Sequence, residues 1–483
     1  MKLGNLLQDI EHEINGENIT ISSVEYDSRH VKPGSLFVAI KGYKTDGHKY
    51  IGEAVKRGAA AVMAEHFEGD PGVVAIKTKN TRKALAAAAG RFYKRSADRL
   101  KIIGVTGTNG KTTTTFLIKQ IFDLLGYKTG LIGTNQNMIG NETMAAQRTT
   151  PESLELHKML SDMERTGVTH VVMEVSSHSL ELYRTWGINF EVGVFTNLTQ
   201  DHLDFHGSME NYLNAKARLF SMCKTAVINA DDKYAVEITA QAVCPILTYG
   251  IENKCDYRAK NIRLSERGVI FTMDEKGKTH DVRLGIPGMF SVYNALAAAC
   301  ACHAAGIDMG DIIKGLLLAK GVRGRAEVVA LPAPYTVIID YAHTPDGLEN
   351  IIKTVRDFAK GRIITLFGCG GDRDREKRPK MGKIAATLSD FCVVTSDNPR
   401  SEDPERIMAD ILHGMGGMEE RYTSIVNRRE AIKSAMQSAR AGDAIILAGK
   451  GHETYQILAD KTIDFDEKKI VKEIFKELQH DGE

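Results

Sequence analysis

A glycine-rich turn that carries a lysine and a threonine is the stretch of this sequence best suited to bind a triphosphate. The turn "GVTGTNGKTT", residues 104–113, overlaps the end of an apolar run, residues 102–105, and an apolar-periodic helix begins directly after it. Glycines let the backbone wrap around phosphate oxygens, and the N–H groups at a helix N-terminus point toward the anion. Lys111 is then placed to reach the outer phosphates, and the Thr112 hydroxyl is suited to hold Mg²⁺.

The spacing of this turn departs from the usual P-loop. That motif has a glycine five positions before Gly110, where this chain has Val105. A tight strand-to-helix turn with an incidental lysine is the alternative, and the order of strand, turn and helix argues against it. The turn alone is compatible with a kinase, a mechanical ATPase, or a ligase that uses ATP to activate a second substrate.

Polar side chains follow two further strand-like runs. Glu174 ends the run "HVVME", and because hard cations prefer carboxylate oxygen, it is a candidate ligand for the Mg²⁺ of a bound nucleotide. Capping the next helix is the alternative role for this residue. After the run "EVGVF", a turn brings together His202, Asp204 and His206, although such turns are more often structural than metal-binding. Lys216, on the next helix, has the pattern of an ordinary solvated lysine.

Three charged segments in the last third each follow a strand-like run. They are "GCGGDRDREKRPKM" (368–381), "SDNPRSEDP" (396–404) and "AGKGHETYQ" (448–456). Glycines packed against arginines and lysines favour an anion-binding nest, with a solvated charged loop as the alternative. Arg400 offers a planar fork suited to a carboxylate, and Glu453 offers the opposite charge. These segments predict a site for an α-amino acid, which carries both charges.

The elements that must position these residues alternate between strand-like and helical segments. Such alternation predicts an α/β fold with parallel sheets and helices on both faces, and ligands then bind at the carboxyl ends of the strands. The chain has 483 residues, for which about three domains are expected. Polar segments at 93–100 and 320–329 indicate two joints, and we predict domains at 1–98, 99–325 and 326–483.

The composition argues against several classes of partner. Lys and Arg number 63 and Asp and Glu 62, so no global basic field indicates nucleic acid or a membrane surface. No apolar run approaches the ~20 residues of a membrane-spanning helix, and the N-terminal segment lacks a signal-peptide core. The seven cysteines are scattered without a CxxC pair, which favours reduced thiols over a disulfide or zinc framework. We expect a cytoplasmic, monomeric enzyme.

Taken in order, the motifs resemble those of the Mur ligase family, which builds the cytoplasmic precursor of peptidoglycan. The resemblance covers nearly the whole chain and is carried by "YDSRHVKPGSLFVAIKGYKTDGHKY", "GVTGTNGKTT", "TTPE", "MEVSSHSL", "NLTQDHLDFHG", "PGMFSVYNALAA", "DYAHTPDGLE", "GCGGDRDREKRP", "DNPR" and "AGKGHE". The glycine-rich turn matches the family's own P-loop variant, including Val105. The resemblance implies an N-terminal UDP-sugar-binding domain, a central P-loop ATPase domain on a parallel sheet, and a C-terminal Rossmann-like, doubly wound domain that binds an amino acid.

The resemblance also implies a role for individual residues. Those implied for the UDP-linked substrate are Ser28, the loop 42–48 with Gly42, Asp46 and His48, and Thr149, Thr150, Ser176 and Arg184. Those implied for ATP are Gly107, Thr108, Asn109, Gly110, Lys111, Thr112, Thr113, Asn294, Asp340 and His343. Those implied for the amino acid are Arg373, Asp397, Asn398, Pro399, Arg400, Gly449 and Glu453. The implied metal ligands are Thr112, Glu174, His202 and a carbamylated Lys216, and the implied catalytic residues are Lys111, Glu174, His202 and Lys216. One departure is Leu182, where related enzymes can carry a glutamine next to the substrate.

The activity implied is an ATP-dependent, ADP-forming ligation with Mg²⁺. The γ-carboxylate of D-glutamate in UDP-N-acetylmuramoyl-L-alanyl-D-glutamate is phosphorylated, and the amine of meso-2,6-diaminopimelate attacks the acyl phosphate. Arg400, helped by Asn398 and Arg373, is expected to meet the carboxylate that distinguishes this amine from L-lysine. The alternatives are an L-lysine-adding or other Mur-type ligase, a P-loop kinase, and an ATP-binding switch.

Overall fold

The computed structural model describes residues 1–42 and 45–480. The predicted loop 42–48 therefore lies partly outside the described residues, at Tyr43 and Lys44, as do residues 481–483 at the end of the predicted third domain. The chain divides into two compact units. The first comprises Met1–Asp256 and Ala297–Ile312, and the second comprises the remaining described residues.

A five-stranded sheet forms the N-terminal part of the first unit. Its elements are α1 Leu3–Leu6, β1 His12–Asn15, β2 Ser23–Glu25, β3 Ser35–Val38, α2 Ile51–Lys56, β4 Ala59–Ala64, β5 Val74–Thr78 and α3 Thr81–Phe92, with 3₁₀ helices at Ser28–His30, Gly47–Tyr50 and Ser96–Arg99. The strand order is β1-β5-β4-β3-β2, with β1 antiparallel to β5 and the other pairs parallel. The side chain of Asn80 accepts hydrogen bonds from two backbone N–H groups of α3, which fixes the start of that helix.

A second, mainly parallel sheet follows in the same unit. Its elements are β6 Lys101–Thr106, α4 Lys111–Leu124, β7 Thr129–Ile132, β8 Asn137–Ile139, β9 Glu142–Met144, α5 Ser153–Arg165, β10 His170–Glu174, α6 Ser177–Glu181, β11 Phe190–Phe195, α7 Leu203–His206, α8 Met209–Ala217, β12 Cys223–Asn229, α9 Ala235–Gln241 and β13 Ile246–Gly250, with a 3₁₀ helix at Arg218–Ser221. Strands β13-β12-β11-β6-β10-β7 are parallel in that order, and β8 and β9 extend the edge in antiparallel fashion. Because β10 and β11 flank β6, the residues that follow these three strands lie side by side.

The second unit begins with an antiparallel meander. Its strands are β14 Tyr257–Ser265, β15 Gly268–Glu275 and β16 Lys278–Leu284, and the helices α10 Met289–Ala304 and α11 Met309–Leu318 follow in the chain. The elements of the C-terminal part are β17 Glu327–Val329, β18 Thr336–Asp340, α12 Pro345–Arg356, β19 Ile363–Phe367, α13 Lys377–Leu388, β20 Phe391–Thr395, α14 Pro404–His413, β21 Tyr422–Ile425, α15 Arg428–Ser438, β22 Ala444–Ala448, β23 Tyr455–Ile457, β24 Thr462–Asp464 and α16 Glu467–His480, with a 3₁₀ helix at Glu419–Arg421. The main sheet of this part has the order β17-β18-β22-β19-β20-β21, parallel except for β17 at its edge.

Two separate apolar cores cover the two faces of this C-terminal sheet. On one face, Leu348 of α12, Met381 of α13 and Ile411 of α14 pack with the sheet. On the other face, Ile432 of α15 and Val471 of α16 do the same. Helices on both faces of a parallel sheet define a doubly wound domain, so the predicted α/β class and Rossmann-like C-terminal domain are confirmed.

Two further observations bear on the compositional predictions. Among residues 1–42 and 45–480, no helix combines the length and apolar character that crossing a membrane requires. All seven cysteines are free thiols.

Candidate active site

The glycine-rich turn connects β6 to α4 and is held against the end of β11. Gly107 and Gly110 have φ angles of 149° and 85°, a region that favours glycine. A Cβ atom on Gly107 would lie 1.9 Å from the Thr196 hydroxyl, so no larger residue fits there. Lys111 Nζ donates hydrogen bonds to the carbonyl oxygens of Gly107 (2.9 Å) and Thr108 (2.8 Å), which holds the ammonium over the turn.

Glu174 lies beside this turn at the end of β10, almost wholly buried at 1% exposure. Its Oε1 accepts hydrogen bonds from the Thr112 hydroxyl (3.0 Å) and the Thr134 backbone N–H (2.8 Å). The Thr134 hydroxyl donates to Oε2 at 3.0 Å. The cap of α6 is instead Ser176, whose hydroxyl accepts from the backbone N–H of Ser179. The carboxylate therefore faces the predicted phosphate site, and helix capping is not its role.

A row of hydroxyl groups continues from Glu174. The Thr150 hydroxyl donates to the Glu174 backbone carbonyl at 2.8 Å and accepts from the Ser176 backbone N–H at 3.1 Å. The Thr149 hydroxyl lies 3.0 Å from the Thr134 hydroxyl, whose own hydrogen is used by Glu174. The structure thus brings together three of the residues predicted for the UDP-linked substrate.

Arg184, predicted for the same substrate, is held by a carboxylate that sequence reasoning missed. Its Nε donates to Glu152 Oε2 at 3.2 Å and its Nη1 to the Thr150 carbonyl at 3.1 Å. Arg82 also donates to Glu152 Oε2, at 3.3 Å, and reaches the Lys41 carbonyl at 2.7 Å. Glu152 thereby links Arg184 to the segment that enters the predicted loop 42–48. Its place in "TTPE", directly before α5, is the one sequence signal that marks it.

Lys216 is not a solvated lysine, contrary to the interpretation from its helical pattern alone. It is 1% exposed on α8, and its Nζ lies 4.5 Å from the centre of the Tyr212 ring. Within the described residues, no carboxylate forms an ion pair with its ammonium. Burial, reinforced by the charge of Lys111, holds the pKa of Lys216 well below its ordinary value. A neutral amine is therefore accessible at this position.

The histidine-rich turn packs against the same tyrosine. The ring of His206 stacks on Tyr212 at 4.9 Å, and the ring of His178 lies 4.8 Å from that of His202 and 5.5 Å from that of His206. Burial lowers the pKa of His178 and His206 to about 4 and also lowers the pKa of His202. The three imidazoles are therefore neutral near pH 7. Asp204, the third residue predicted in this turn, is exposed.

The residues predicted for the uridine end form local contacts in the N-terminal sheet. Asp46 Oδ1 accepts from the His48 backbone N–H (3.0 Å) and faces His48 Nδ1 at 2.7 Å. This contact lowers the pKa of the Asp46 carboxyl. The Ser28 hydroxyl donates to Glu53 Oε2 at 3.2 Å, and the Gly42 N–H bonds within its own loop at 2.9 Å.

Asn294, Asp340 and His343 belong to the second unit and are described within it. Asn294 is buried on α10. Asp340 ends β18, and its two oxygens accept backbone N–H groups at 2.7 and 2.8 Å. Burial raises the pKa of the Asp340 carboxyl. His343 is exposed, and its Nδ1 lies 2.8 Å from the Tyr341 carbonyl.

The three charged segments of the C-terminal domain do lie together. Arg400 Nη1 donates to the Gly371 carbonyl at 2.9 Å, and the Gly371 N–H donates to the Asn398 carbonyl at 2.9 Å. Asn398 Nδ2 donates to Glu453 Oε2 at 2.9 Å. The ends of β19, β20 and β22 therefore place an arginine, an amide and a carboxylate side by side, as the strand pattern predicts.

The other residues predicted for the amino acid differ in exposure. Pro399 is buried, whereas Arg373 is exposed and donates to the Asp372 carbonyl at 3.0 Å. Gly449 has a φ angle of 117°, and a Cβ there would lie 2.5 Å from Asp397 Oδ2. The close approach of Asp397 therefore requires glycine at this position.

Two fully buried arginines support these segments, and no local sequence pattern indicates their burial. Arg378, in the segment expected to be either a nest or a solvated loop, pairs with Glu402 (2.8 Å) and Asp410 (2.9 Å). Arg428 pairs with buried Glu467 at 2.8 Å. Arg428 also donates to the backbone carbonyl of Ser396, just after β20, at 3.4 Å, and to that of Ala448, at the end of β22, at 2.9 Å. These ion pairs fix the backbone from which the site residues project.

Comparison with known protein families assigns this fold and site to a class. Family models described as "Mur ligase family, catalytic domain", "Mur ligase middle domain" and "Mur ligase, glutamate ligase domain" match residues 20–93, 105–302 and 324–451. Together they cover most of the chain. The chain belongs to the Mur ligase family, and the predicted resemblance and the predicted ligase class are confirmed.

Within this family, the chain is most usefully compared with individual relatives of known name. The chain is 50% identical over 99% of its length to the whole of the UDP-N-acetylmuramoyl-L-alanyl-D-glutamate--2,6-diaminopimelate ligase of Clostridium tetani. It is 49% identical, again over 99% of its length, to the whole of the protein of the same name from Caldanaerobacter subterraneus subsp. tengcongensis. A solved structure of a ligase of this name aligns with a TM-score of 0.74 and 34% identity over 99% of both chains.

Proposed function

We propose that this chain is an ATP-dependent, ADP-forming ligase that joins meso-2,6-diaminopimelate to UDP-N-acetylmuramoyl-L-alanyl-D-glutamate. The observation that carries the proposal is the joined set of Arg400, Asn398 and Glu453, which offers a cation, an amide and a carboxylate to a diamino diacid. The names of the relatives, which are about half identical over nearly the full length, support the same substrates.

The reaction consists of two displacement steps, and neither step involves oxidation or reduction. The D-glutamate γ-carboxylate attacks the γ-phosphorus of ATP, the bond to the bridging oxygen breaks, and ADP leaves. The amine then attacks the carbonyl carbon of the acyl phosphate, a proton is lost, and phosphate leaves as the amide forms. Lys111 and the N–H groups of the glycine-rich turn would stabilise the charge that develops on the transferred phosphoryl group.

The residues present fit a Mg²⁺ ion, which when bound would neutralise phosphate charge. Thr112 and Glu174 supply a hydroxyl and a carboxylate 3.0 Å apart, of the oxygen type that Mg²⁺ prefers. Among the described residues, no three or more His, Cys, Asp or Glu side chains are grouped so that they could hold a metal ion. The family resemblance adds His202 and carbamylated Lys216 as the further residues that would hold it.

The environment of Lys216 supports the carbamylation. Carbamylation joins the neutral amine nitrogen to the carbon of CO₂ with loss of a proton, which turns a buried cation into an anionic oxygen ligand. Burial and the nearby charge of Lys111 disfavour the ammonium form that would block this reaction.

The remaining substrate contacts follow the family pattern. Ser28, Gly42, Asp46 and His48 would bind the uridine end of the substrate. Thr149, Thr150, Ser176 and Arg184 would bind its muramoyl-dipeptide, while Leu182 cannot supply the hydrogen bonds of the glutamine found in related enzymes. Asn294, Asp340 and His343 would contact the adenosine. The domain boundaries at 98/99 and 325/326, the cytoplasmic location and the monomeric state stay predictions.

Selectivity for the amine would come from charge. L-Lysine lacks the distal carboxylate of meso-2,6-diaminopimelate, and leaving Arg400 without that partner would cost about 1–3 kcal/mol. Asn398 and Arg373 would add hydrogen bonds to the same group, and Asp397, Pro399 and Gly449 would shape its surroundings. Glu453 would receive the ammonium.

A competition experiment tests this proposal. The purified protein is given ATP, Mg²⁺, the UDP-linked dipeptide and equal concentrations of meso-2,6-diaminopimelate and L-lysine, and the products are separated by mass. We expect the diaminopimelate adduct to exceed the lysine adduct by at least tenfold. A dominant lysine adduct would reassign the amine, and a phosphorylated acid without amide product would indicate a kinase.

A further inference from the structure

We propose that Lys450 is a positioning residue for the amino-acid substrate, acting through Asn398 and Glu453. Lys450 would orient the Asn398 amide and hold one oxygen of Glu453, so that the other oxygen receives the substrate ammonium. The inference rests on the proposed function, because it concerns the site assigned there to the amine.

Lys450 is a fully buried cation whose partners are residues of that site. It lies two residues beyond the end of β22, in "AGKGHE", and its side chain is 0% exposed. Its Nζ donates to Asn398 Oδ1 at 3.1 Å and to Glu453 Oε2 at 3.2 Å, and lies 3.8 Å from Asp397 Oδ1. Burying an ammonium is costly unless it is paired and hydrogen-bonded. Here all three partners belong to the set predicted to bind the amino acid.

The contact with Lys450 decides how the Asn398 amide is turned. A lysine ammonium donates hydrogen bonds and accepts none, so the Asn398 atom facing it must be the oxygen. The backbone N–H of Ile457 donates to the same oxygen at 3.0 Å, which gives the same assignment independently. The amide nitrogen is therefore turned toward Glu453 Oε2, at 2.9 Å. One of its two hydrogens is used there, and the other stays available to a substrate carboxylate.

The contact with Lys450 also gives the two carboxylate oxygens of Glu453 different roles: one is bonded within the protein, and the other is left for the substrate. Oε2 accepts from both Lys450 and Asn398. Oε1 has no hydrogen bond with any described residue, and the side chain is 15% exposed. A partly accessible carboxylate oxygen, held in place by its bonded neighbour, is suited to an ammonium group. Without Lys450, Oε2 would lose a charged donor and the carboxylate would turn more freely.

Steady-state kinetics of Lys450→Met with the full-length protein tests this role. We expect the KM for meso-2,6-diaminopimelate to rise roughly 100-fold, the scale of two lost charge-assisted hydrogen bonds, while the KM for ATP and for the UDP-linked dipeptide changes less than about twofold. In a Glu453→Gln background, the same substitution should raise the KM far less, because its effect passes through Glu453. The inference would be overturned if the effects of the two substitutions on the free energy of amine binding were fully additive. It would also be overturned if the KM for the amine were unchanged in Lys450→Met.

A matched control separates positioning from stability. Arg362 pairs with Asp443 at the opposite end of the same strands, at 2.7 Å. Arg362→Met should lower the melting temperature without raising the KM for the amine, and an equal rise in that KM would overturn the inference. If Lys450→Met does not fold, Lys450→Gln, which keeps a donor without the charge, is measured in the same way with the same criteria. Turnover of the wild-type protein in this assay tests the proposed function separately. If the wild type is active and the Lys450 variants have an unchanged KM for the amine, only the positioning role is rejected.

Discussion

The Thr112 hydroxyl donates a hydrogen bond to Glu174 Oε1 at 3.0 Å, and this contact joins the first turn of α4 to the end of β10. Two residues predicted as metal ligands are therefore adjacent, with their relative position fixed by parallel pairing of β6 and β10. The Thr134 N–H and hydroxyl hold the same carboxylate from the side of β7. The strand ends, rather than a flexible loop, set the geometry of the proposed metal site.

Removing the negative charge of Glu174 should weaken Mg²⁺ binding while leaving the fold intact. Glu174→Gln keeps the shape and an oxygen that can accept from Thr112, so we expect only a small change in melting temperature. The Mg²⁺ concentration for half-maximal turnover should rise at least tenfold, because a neutral amide is a poorer ligand for a hard cation. Glu155→Gln, which alters a carboxylate on α5 that accepts a hydrogen bond from the Tyr26 hydroxyl, is the control. Equal Mg²⁺ dependence in wild type and Glu174→Gln would argue against the assignment.

Lys216 should take up CO₂, and a second buried lysine should not. Lys119 is also buried, but its Nζ forms an ion pair with Asp123 Oδ2 at 2.6 Å, whereas Lys216 has no such partner among the described residues. With ¹³C-labelled bicarbonate, we expect a carbamate signal by NMR in wild type and in Lys119→Met. The signal should be absent from Lys216→Met, which should also lose turnover by orders of magnitude. A carbamate signal that persists in Lys216→Met would place the modification elsewhere.

Arg400 should be needed for the amine and not for the nucleotide. We expect Arg400→Ala to reduce turnover with meso-2,6-diaminopimelate by at least 100-fold, because the half-buried charged partner of the distal carboxylate is lost. ATP affinity, measured by calorimetry, should stay within about twofold. Arg375→Ala removes an exposed arginine that pairs with Asp410 and should behave as wild type. Undiminished activity in Arg400→Ala would reject this assignment.

His157 should make the protein less stable in mild acid. Its side chain is buried on α5, its Nε2 has no hydrogen-bond partner among the described residues, and burial lowers its pKa to about 4. The unfolded chain binds a proton near pH 6.5 and the folded chain only near pH 4, so the free energy of unfolding falls as pH falls through this window. The loss from this residue is about 3 kcal/mol at most. Denaturant titrations of His157→Gln should show a flatter pH dependence than those of wild type or of His30→Gln, which alters an exposed histidine.

Local sequence pattern is sufficient to predict the α/β class and the order of the motifs. It also predicts that the carboxyl ends of the strands lie together. Apolar strand runs and glycine turns are periodic and short-range, and parallel pairing then brings their ends together. Val105 illustrates this, since it belongs to the apolar run 102–105 and is wholly buried inside β6.

Burial of charged side chains could not be predicted in this way. Lys216, Arg378, Arg428 and Lys450 stand in polar or helical contexts that indicate solvent, yet each is at most 1% exposed. Several of their contacts join distant parts of the chain, such as Arg428 with Glu467 and Lys450 with Asn398. Only tertiary packing determines which charged side chains are enclosed. Arg378, Arg428 and Lys450 are therefore identified from the structure, whereas Lys216 is marked beforehand by the family resemblance alone.

Release of ADP by the purified protein, measured with and without each substrate, tests the central claim most directly. With ATP and Mg²⁺, we expect sustained turnover only when UDP-N-acetylmuramoyl-L-alanyl-D-glutamate and meso-2,6-diaminopimelate are both present, and little when L-lysine replaces the amine. ADP release at the same rate without the acid or without any amine would contradict the proposed ligation.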